Sequence, residues 1–160
     1  MNLLIDTHLL IWGAVAMQKL PRDAVTLMSD PENRLHFSTA SLWEIAIKFA
    51  QGRADFTVDP APFRAGLLAN GYLELPVEGR HCLAIPTLPP VHGDPFDRML
   101  VAQAMTEGMQ LLTADRRVAA YGGPGSLDGS VPGKVWVNLG DPSIHNRVTI
   151  PDLVFHEGIP

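Results

Sequence analysis

Scarcity carries the first information in this sequence. One cysteine, Cys82, stands among 160 residues, so no internal disulfide can form and a reducing cytoplasm is the expected setting. Cys82 itself reads as a small buried apolar residue rather than a nucleophile. Charged residues make up only 18%, and acids outnumber bases to leave a formal net charge of −5. No global positive field would draw in nucleic acid, which argues against a simple basic nucleic-acid-binding module. Enzymes that meet phosphate through bound metal ions and a few local arginines remain open. No uncharged apolar run approaches the ~20 residues needed to span a bilayer. Leu3 to Met17 is mostly apolar, and Ala14-Val15-Ala16 resembles a signal-peptidase site. Yet no Lys or Arg precedes it, and Asp6 and His8 interrupt it. A strand and helix of a cytoplasmic protein are expected there. Gly-rich phosphate loops, a Gly-x-Ser-x-Gly elbow, His/Cys zinc spacings and internal repeats are all missing.

What is present is enough apolar material, 46% of residues, for a compact core in a single domain. Asn2 to Ile5 is a short continuous apolar run, the pattern of a strand buried on both faces. Thr7 to Ala16 continues as an apolar helix. Pro21 suits the first position of a second helix reaching about Met28, and Ser29 to Asn33 is a turn cluster. Leu35 to Ser38 reads as a strand, followed by a helix from Ser41 to Gln51 with Gly52 just past its end. Asp59 caps an expected helix from Pro60 to Ala69, Tyr72 to Val77 is extended, and a short helix runs from Glu78 to Ala84. A proline-rich loop leads to the helix Pro95 to Glu107, which Gly108 ends. Gln110 to Thr113 is a strand, Asp115 to Tyr121 a helix, and Lys134 to Val137 a last strand. This alternation predicts an α/β fold with a central, mostly parallel β-sheet flanked by helices. Residues 1–138 then form the domain. Residues 139–160 are a tail without clear period whose scattered apolar residues suggest packing on this subunit, a twin or a partner.

Four acids recur at comparable places in this pattern. Asp6 closes the first strand, and Asp115 follows the strand ending at Thr113. Glu44 is expected in the first turn of the helix after the second strand, and Asp97 in the first turn of its own helix. Each has an ordinary structural explanation. Asp6 and Asp115 suit helix N-caps, and Asp94 caps the helix that holds Asp97. Glu44 stands three after Ser41, a capping-box spacing, and four before Lys48, an ion-pair spacing. Taken together they point further, because a parallel sheet gathers strand-end residues at one edge, where such folds bind ligands. Converging carboxylates repel one another. A hard divalent cation such as Mg²⁺ or Mn²⁺ relieves that repulsion, activates water and supports displacement at phosphorus. Thr113 stands where it can hydrogen-bond a water or phosphate, and Arg98, Arg116 and Arg117 lie beside these acids. Trp12 and Trp43 read as core rather than as base-stacking platforms. His8 and His92 are near these acids in sequence but make no metal spacing.

Four segments carry a resemblance. Leu3-Leu4-Ile5-Asp6-Thr7-His8, Ser41-Leu42-Trp43-Glu44-Ile45-Ala46-Ile47-Lys48, Asp94-Pro95-Phe96-Asp97-Arg98 with Ala102-Gln103-Ala104, and Leu112-Thr113-Ala114-Asp115 stand in the order seen in PIN domains. The chain resembles that family, specifically the VapC-type toxins of bacterial toxin–antitoxin pairs. The resemblance implies a PIN-like fold and a Mg²⁺- or Mn²⁺-dependent endoribonuclease, a homodimer held inactive by an antitoxin. Asp6, Glu44, Asp97 and Asp115 would form its acidic metal site with Thr113 assisting, and Asp94 matches a subgroup feature. Such toxins cut structured RNA such as tRNA or ribosomal RNA, leaving 5′-phosphate and 3′-hydroxyl ends. After Tyr121 the sequence departs from the pattern, with a Gly/Pro-rich loop and a long tail. Two alternatives stand beside the toxin: a housekeeping PIN-type RNA-processing nuclease, and a catalytically idle binding module. A signalling receiver domain also carries an acid at a strand end, but its paired acids and strand-end lysine are not evident.

Overall fold

Strands form at the expected apolar runs, and every pairing between them is parallel. The computed structural model describes residues 1–91 and 93–122 together with Val137–Asn138. Strands β1 (Asn2–Ile5), β2 (Arg34–Ser38), β3 (Leu73–Leu75), β4 (Gln110–Thr113) and β5 (Val137–Asn138) build one sheet in the order β3-β2-β1-β4-β5. Register sets Leu4 of the central strand opposite His36 on one side and Leu111 on the other. Of the expected last strand, residues 134–136 lie outside the described residues, as does the tail from residue 139.

The strands are rich in leucine rather than in β-branched residues, so burial holds them rather than intrinsic propensity. Leu3, Ile5, Phe37 and Leu112 face one core, and Leu4 and Leu111 face the other. That alternation is the pleat of a strand covered on both sides. Helices α1 (Thr7–Val15), α2 (Arg22–Ser29), α3 (Thr39–Ala50) and α4 (Pro60–Ala69) supply the first core through Leu9, Leu10, Met28, Ile45 and Phe63. Helices α5 (Gly79–Ala84), α6 (Pro95–Glu107) and α7 (Arg116–Ala119) cover the other face, with Leu100, Val101 and Val118 inward. Each fully buried side chain of this size contributes about 1.5–3 kcal/mol.

Local chemistry explains most helix ends. The Asp59 carboxylate accepts a hydrogen bond from the Ala61 N–H at 3.0 Å, and Gly108 closes α6 in the left-handed region at φ 64°. Three details differ from the sequence expectation. Pro21 is the N-cap of α2 rather than its first residue. Helix α3 starts before Ser41, because the Ser38 hydroxyl accepts from the Ala40 N–H at 3.0 Å and takes the cap. Ser41 instead accepts a buried hydrogen bond from the Thr7 hydroxyl at 2.8 Å, locking α1 to α3.

Two burial expectations are also overturned. Trp43 is 64% exposed, because the inward stripe of α3 is Ala40, Ser41, Glu44 and Ile45, which leaves Trp43 out of phase. Cys82 is exposed, because the short α5 turns His81 inward instead. No helix among the described residues is long and apolar enough to cross a membrane.

Candidate functional site

The chain lays β1, β2 and β3 outward in one direction, then returns to add β4 on the other side of β1. That reversal creates a crevice at the carboxyl ends of β1 and β4, the place where open α/β sheets bind ligands. Asp6 and Thr113 end these two strands. The backbone N–H of Asp6 donates to the Leu112 carbonyl at 3.0 Å, continuing the ladder. Above it the Thr113 hydroxyl donates to Asp6 Oδ2 at 2.6 Å. The same hydroxyl accepts from the Asp115 N–H at 3.0 Å. Because a backbone N–H can only donate, the hydroxyl accepts from Asp115 and gives its single proton to Asp6. Asp115 in turn caps α7, accepting from the Arg117 N–H at 2.8 Å.

Asp6 is 2% exposed. Burial is the largest influence on its carboxyl group and raises its pKa above the ordinary 3.8. The Thr113 hydroxyl and His8 act in the opposite direction, and the charge of Glu44 raises it further. Glu44 is therefore an electrostatic neighbour of Asp6 despite the distance between them in sequence. It lies in the second turn of α3, since the helix begins at Thr39, a correction to the expected first turn. Its carboxylate is nearly buried and accepts a charge-assisted hydrogen bond from Lys48 Nζ at 2.8 Å.

Asp97 occupies the first turn of α6, half-buried, and its N–H donates to the capping Asp94 carboxylate at 3.2 Å. Helix α6 leads directly into β4, so its first turn lies toward the carboxyl edge of the sheet. Asp94 also accepts from the Phe96 N–H at 2.8 Å, which gives this residue a capping role. The structure thus joins Asp6, Thr113 and Asp115 by hydrogen bonds, brings Glu44 into their field, and sets Asp97 on a helix that starts at the same edge. Among the described residues no three His, Cys, Asp or Glu side chains are gathered into a ready-made metal cage.

These donors still suit a hard cation. All are carboxylate or hydroxyl oxygens, and Asp6 is a buried carboxylate with the charge of Glu44 nearby, the hard oxygen donor set that such an ion prefers. Mg²⁺ binds through one or two carboxylates and keeps several waters, so a closed cage is not required. The basic side chains divide differently from the sequence expectation. Arg98 donates to the carbonyls of Ile85 and Pro89 and to the Tyr121 hydroxyl, at 3.1, 3.3 and 3.0 Å, and so organises the proline-rich loop. Arg116 and Arg117 are exposed on α7.

Sequence reasoning missed two supporting contacts. The buried Ser38 hydroxyl donates to Gln103 Oε1, tying β2 to α6 across the sheet edge. Gln103 also donates to the Pro76 carbonyl at 3.3 Å. Neither has a local signal, because its partners lie far apart along the chain. A cavity of about 530 Å³ opens beside the site, with Glu44, Lys48, Asp94 and Phe96 among the residues of its wall.

Comparison with known proteins agrees with this architecture. The fold resembles a chain of VapBC2 from Rickettsia felis, solved bound to a DNA fragment from their promoter. The TM-score is 0.60 at 11% identity, covering 86% of this chain and 98% of that one. A chain of DNA-bound VapBC from Salmonella typhimurium aligns with a TM-score of 0.55 at 15% identity, covering 87% and 98%. A comparison with curated proteins returned no match. The PIN domain family profile matches residues 3–124, which takes in every strand-end acid described above. With that match over most of its length, the chain belongs to the PIN domain family.

Proposed function

We propose that this protein is a metal-dependent endoribonuclease and the toxin of a toxin–antitoxin pair. The observation that carries this reading is the Asp6–Thr113–Asp115 hydrogen-bonded chain at the reversal point of the sheet, with Glu44 in its field. Asp6, Glu44, Asp97 and Asp115 would hold Mg²⁺ or Mn²⁺. Such an ion activates water and stabilises in-line displacement at phosphorus.

The chain's own residues prepare that chemistry. Thr113 fixes the orientation of the Asp6 carboxylate and favours its ionised form, so little reordering is needed when substrate arrives. Asp115, held at its backbone by the same hydroxyl and at Oδ1 by the Arg117 N–H, keeps its place as the strand ends. Lys48 is ion-paired with Glu44 and balances its charge. In the reaction a water oxygen bonds to phosphorus, the bond from phosphorus to the 3′ oxygen breaks, and that oxygen leaves as a hydroxyl. The products carry 5′-phosphate and 3′-hydroxyl ends. Structured RNA such as tRNA or ribosomal RNA is the proposed substrate. A cognate antitoxin and a second copy of the chain are the proposed partners. The VapBC complexes that share this fold support the antitoxin assignment.

The test is cleavage of total bacterial RNA by purified protein with Mg²⁺, with Mn²⁺ and with chelator. Asp6→Asn and Asp97→Asn should each lower the rate by on the order of 10³-fold or more, the scale of losing one member of a cooperating set. Far-UV circular dichroism should show the fold unchanged. Cutting by either variant at the wild-type rate would remove the carboxylates from the mechanism. A small antitoxin gene beside this one would separate a toxin from a housekeeping nuclease.

A further inference from the structure

The cavity beside the carboxylate edge has chemistry of its own. About 530 Å³ in volume, it is of the size that holds a small organic ligand. Phe56 and Phe96 supply aromatic walls, Lys48 and Arg53 supply cations, and Glu44 and Asp94 supply carboxylates. Phe96 is partly exposed and held edge-on by Trp43, with ring centroids 5.2 Å apart and planes at 71°. Phe56 is partly buried against the core, and Lys48 Nζ stands 5.9 Å from its ring centroid. Arg53 is fixed at the rim by two hydrogen bonds to Asp55 at 2.9 and 2.6 Å.

We infer that this cavity is a subsite for one unstacked nucleotide next to the scissile phosphate, with its base against Phe56 or Phe96. The inference rests on the proposed ribonuclease activity and deepens it. Three observations favour a base over a bare phosphate or a protein side chain. Acids in the cavity wall match or outnumber its bases, which disfavours an isolated anion but suits a neutral ring with donor and acceptor edges. Glu44 belongs both to this wall and to the candidate metal site, so whatever fills the cavity neighbours the bond to be cut. Finally, a chain of net charge −5 gains little RNA affinity from its overall field, whereas stacking on aromatic rings is insensitive to net charge.

The experiment uses the full chain carrying Asp6→Asn, so that RNA is bound but not cut, with Mg²⁺ present. Short single-stranded RNAs are compared intact and with an abasic position moved along the strand. One abasic position should weaken binding by about 5- to 150-fold, the range for one stacked base. Phe56→Leu or Phe96→Leu should weaken binding of the intact RNA comparably while leaving that abasic RNA unaffected. Phe56→Trp, which keeps an aromatic face, should retain affinity, and thermal melting of each variant verifies its fold. If both Leu substitutions leave binding of intact RNA within about twofold of the Asp6→Asn parent and, placed in the wild-type chain, leave cutting within about twofold of wild type, the subsite is overturned while the nuclease stands. If they lose only a protein partner, the cavity belongs to that partner and the inference fails. If wild-type protein neither binds nor cuts RNA with metal, the underlying ribonuclease reading falls as well.

Discussion

Replacing Thr113 by Val keeps the shape of the strand end but removes one hydroxyl that makes two hydrogen bonds. The first, 2.6 Å to Asp6 Oδ2, is buried and charge-assisted, a class worth about 1.5–3 kcal/mol. The second, accepted from the part-buried Asp115 N–H at 3.0 Å, adds less because water can replace it. Thr113→Val should therefore lose about 2–3 kcal/mol at neutral pH, or roughly 4–12 °C in Tm for a chain of this size. The loss should depend on the charge of Asp6. Burial raises the folded pKa of Asp6 above 3.8, so the native state binds more protons than the unfolded chain, and stability falls as pH rises from about 4 through that raised value. The Thr113 hydroxyl opposes this shift, and its loss enlarges the penalty. The gap between Thr113→Val and wild type should be widest at pH 7. It should narrow on acidification toward pH 4, as Asp6 takes up its proton and the bond that is lost becomes a neutral one. Asp6→Asn should be more stable than wild type at pH 7, an advantage that fades on acidification. In that background Thr113→Val should cost only about 1 kcal/mol. Urea denaturation of the four proteins at both pH values measures the whole cycle. An equal cost of Thr113→Val in the wild-type and Asp6→Asn backgrounds, at both pH values, would refute the reasoning.

Other expectations are simpler. Asp94→Ala removes the cap on two N–H groups of α6 and should cost about 1 kcal/mol, visible as a fall in Tm of roughly 2–4 °C. Asp94→Asn should restore most of it; if both variants melt with wild type, the capping role is wrong. Burial pushes the Tyr72 hydroxyl up to about 12. Its contribution is intact below pH 10 and is lost as pH rises from about 10 to about 12, amounting to roughly 3 kcal/mol over those two units. Tyr72→Phe should therefore resist alkaline unfolding better than wild type, as followed by circular dichroism against pH.

The sequence by itself determined the order of strands and helices, because short apolar runs, prolines and capping acids act locally. Asp59, Asp94 and Gly108 do in the structure what their neighbours along the chain require. The strand-end positions of Asp6 and Thr113 were equally legible, since each ends an apolar run. What the sequence left open was anything settled by a distant partner. Ser38 rather than Ser41 caps α3, and Ser41 instead meets Thr7. Arg98, next to an acid in sequence, turns to the proline-rich loop, where fixed carbonyls and the Tyr121 hydroxyl await it. Trp43 was expected in the core on hydrophobicity, though the α3 stripe could have shown its phase. Only the tertiary structure decided that the strand order reverses beside β1, that one hydroxyl joins Asp6 to Asp115, and that Phe56 and Phe96 wall one cavity. Local propensity acts within a few residues, whereas a site is made where packing brings the ends of distant segments together.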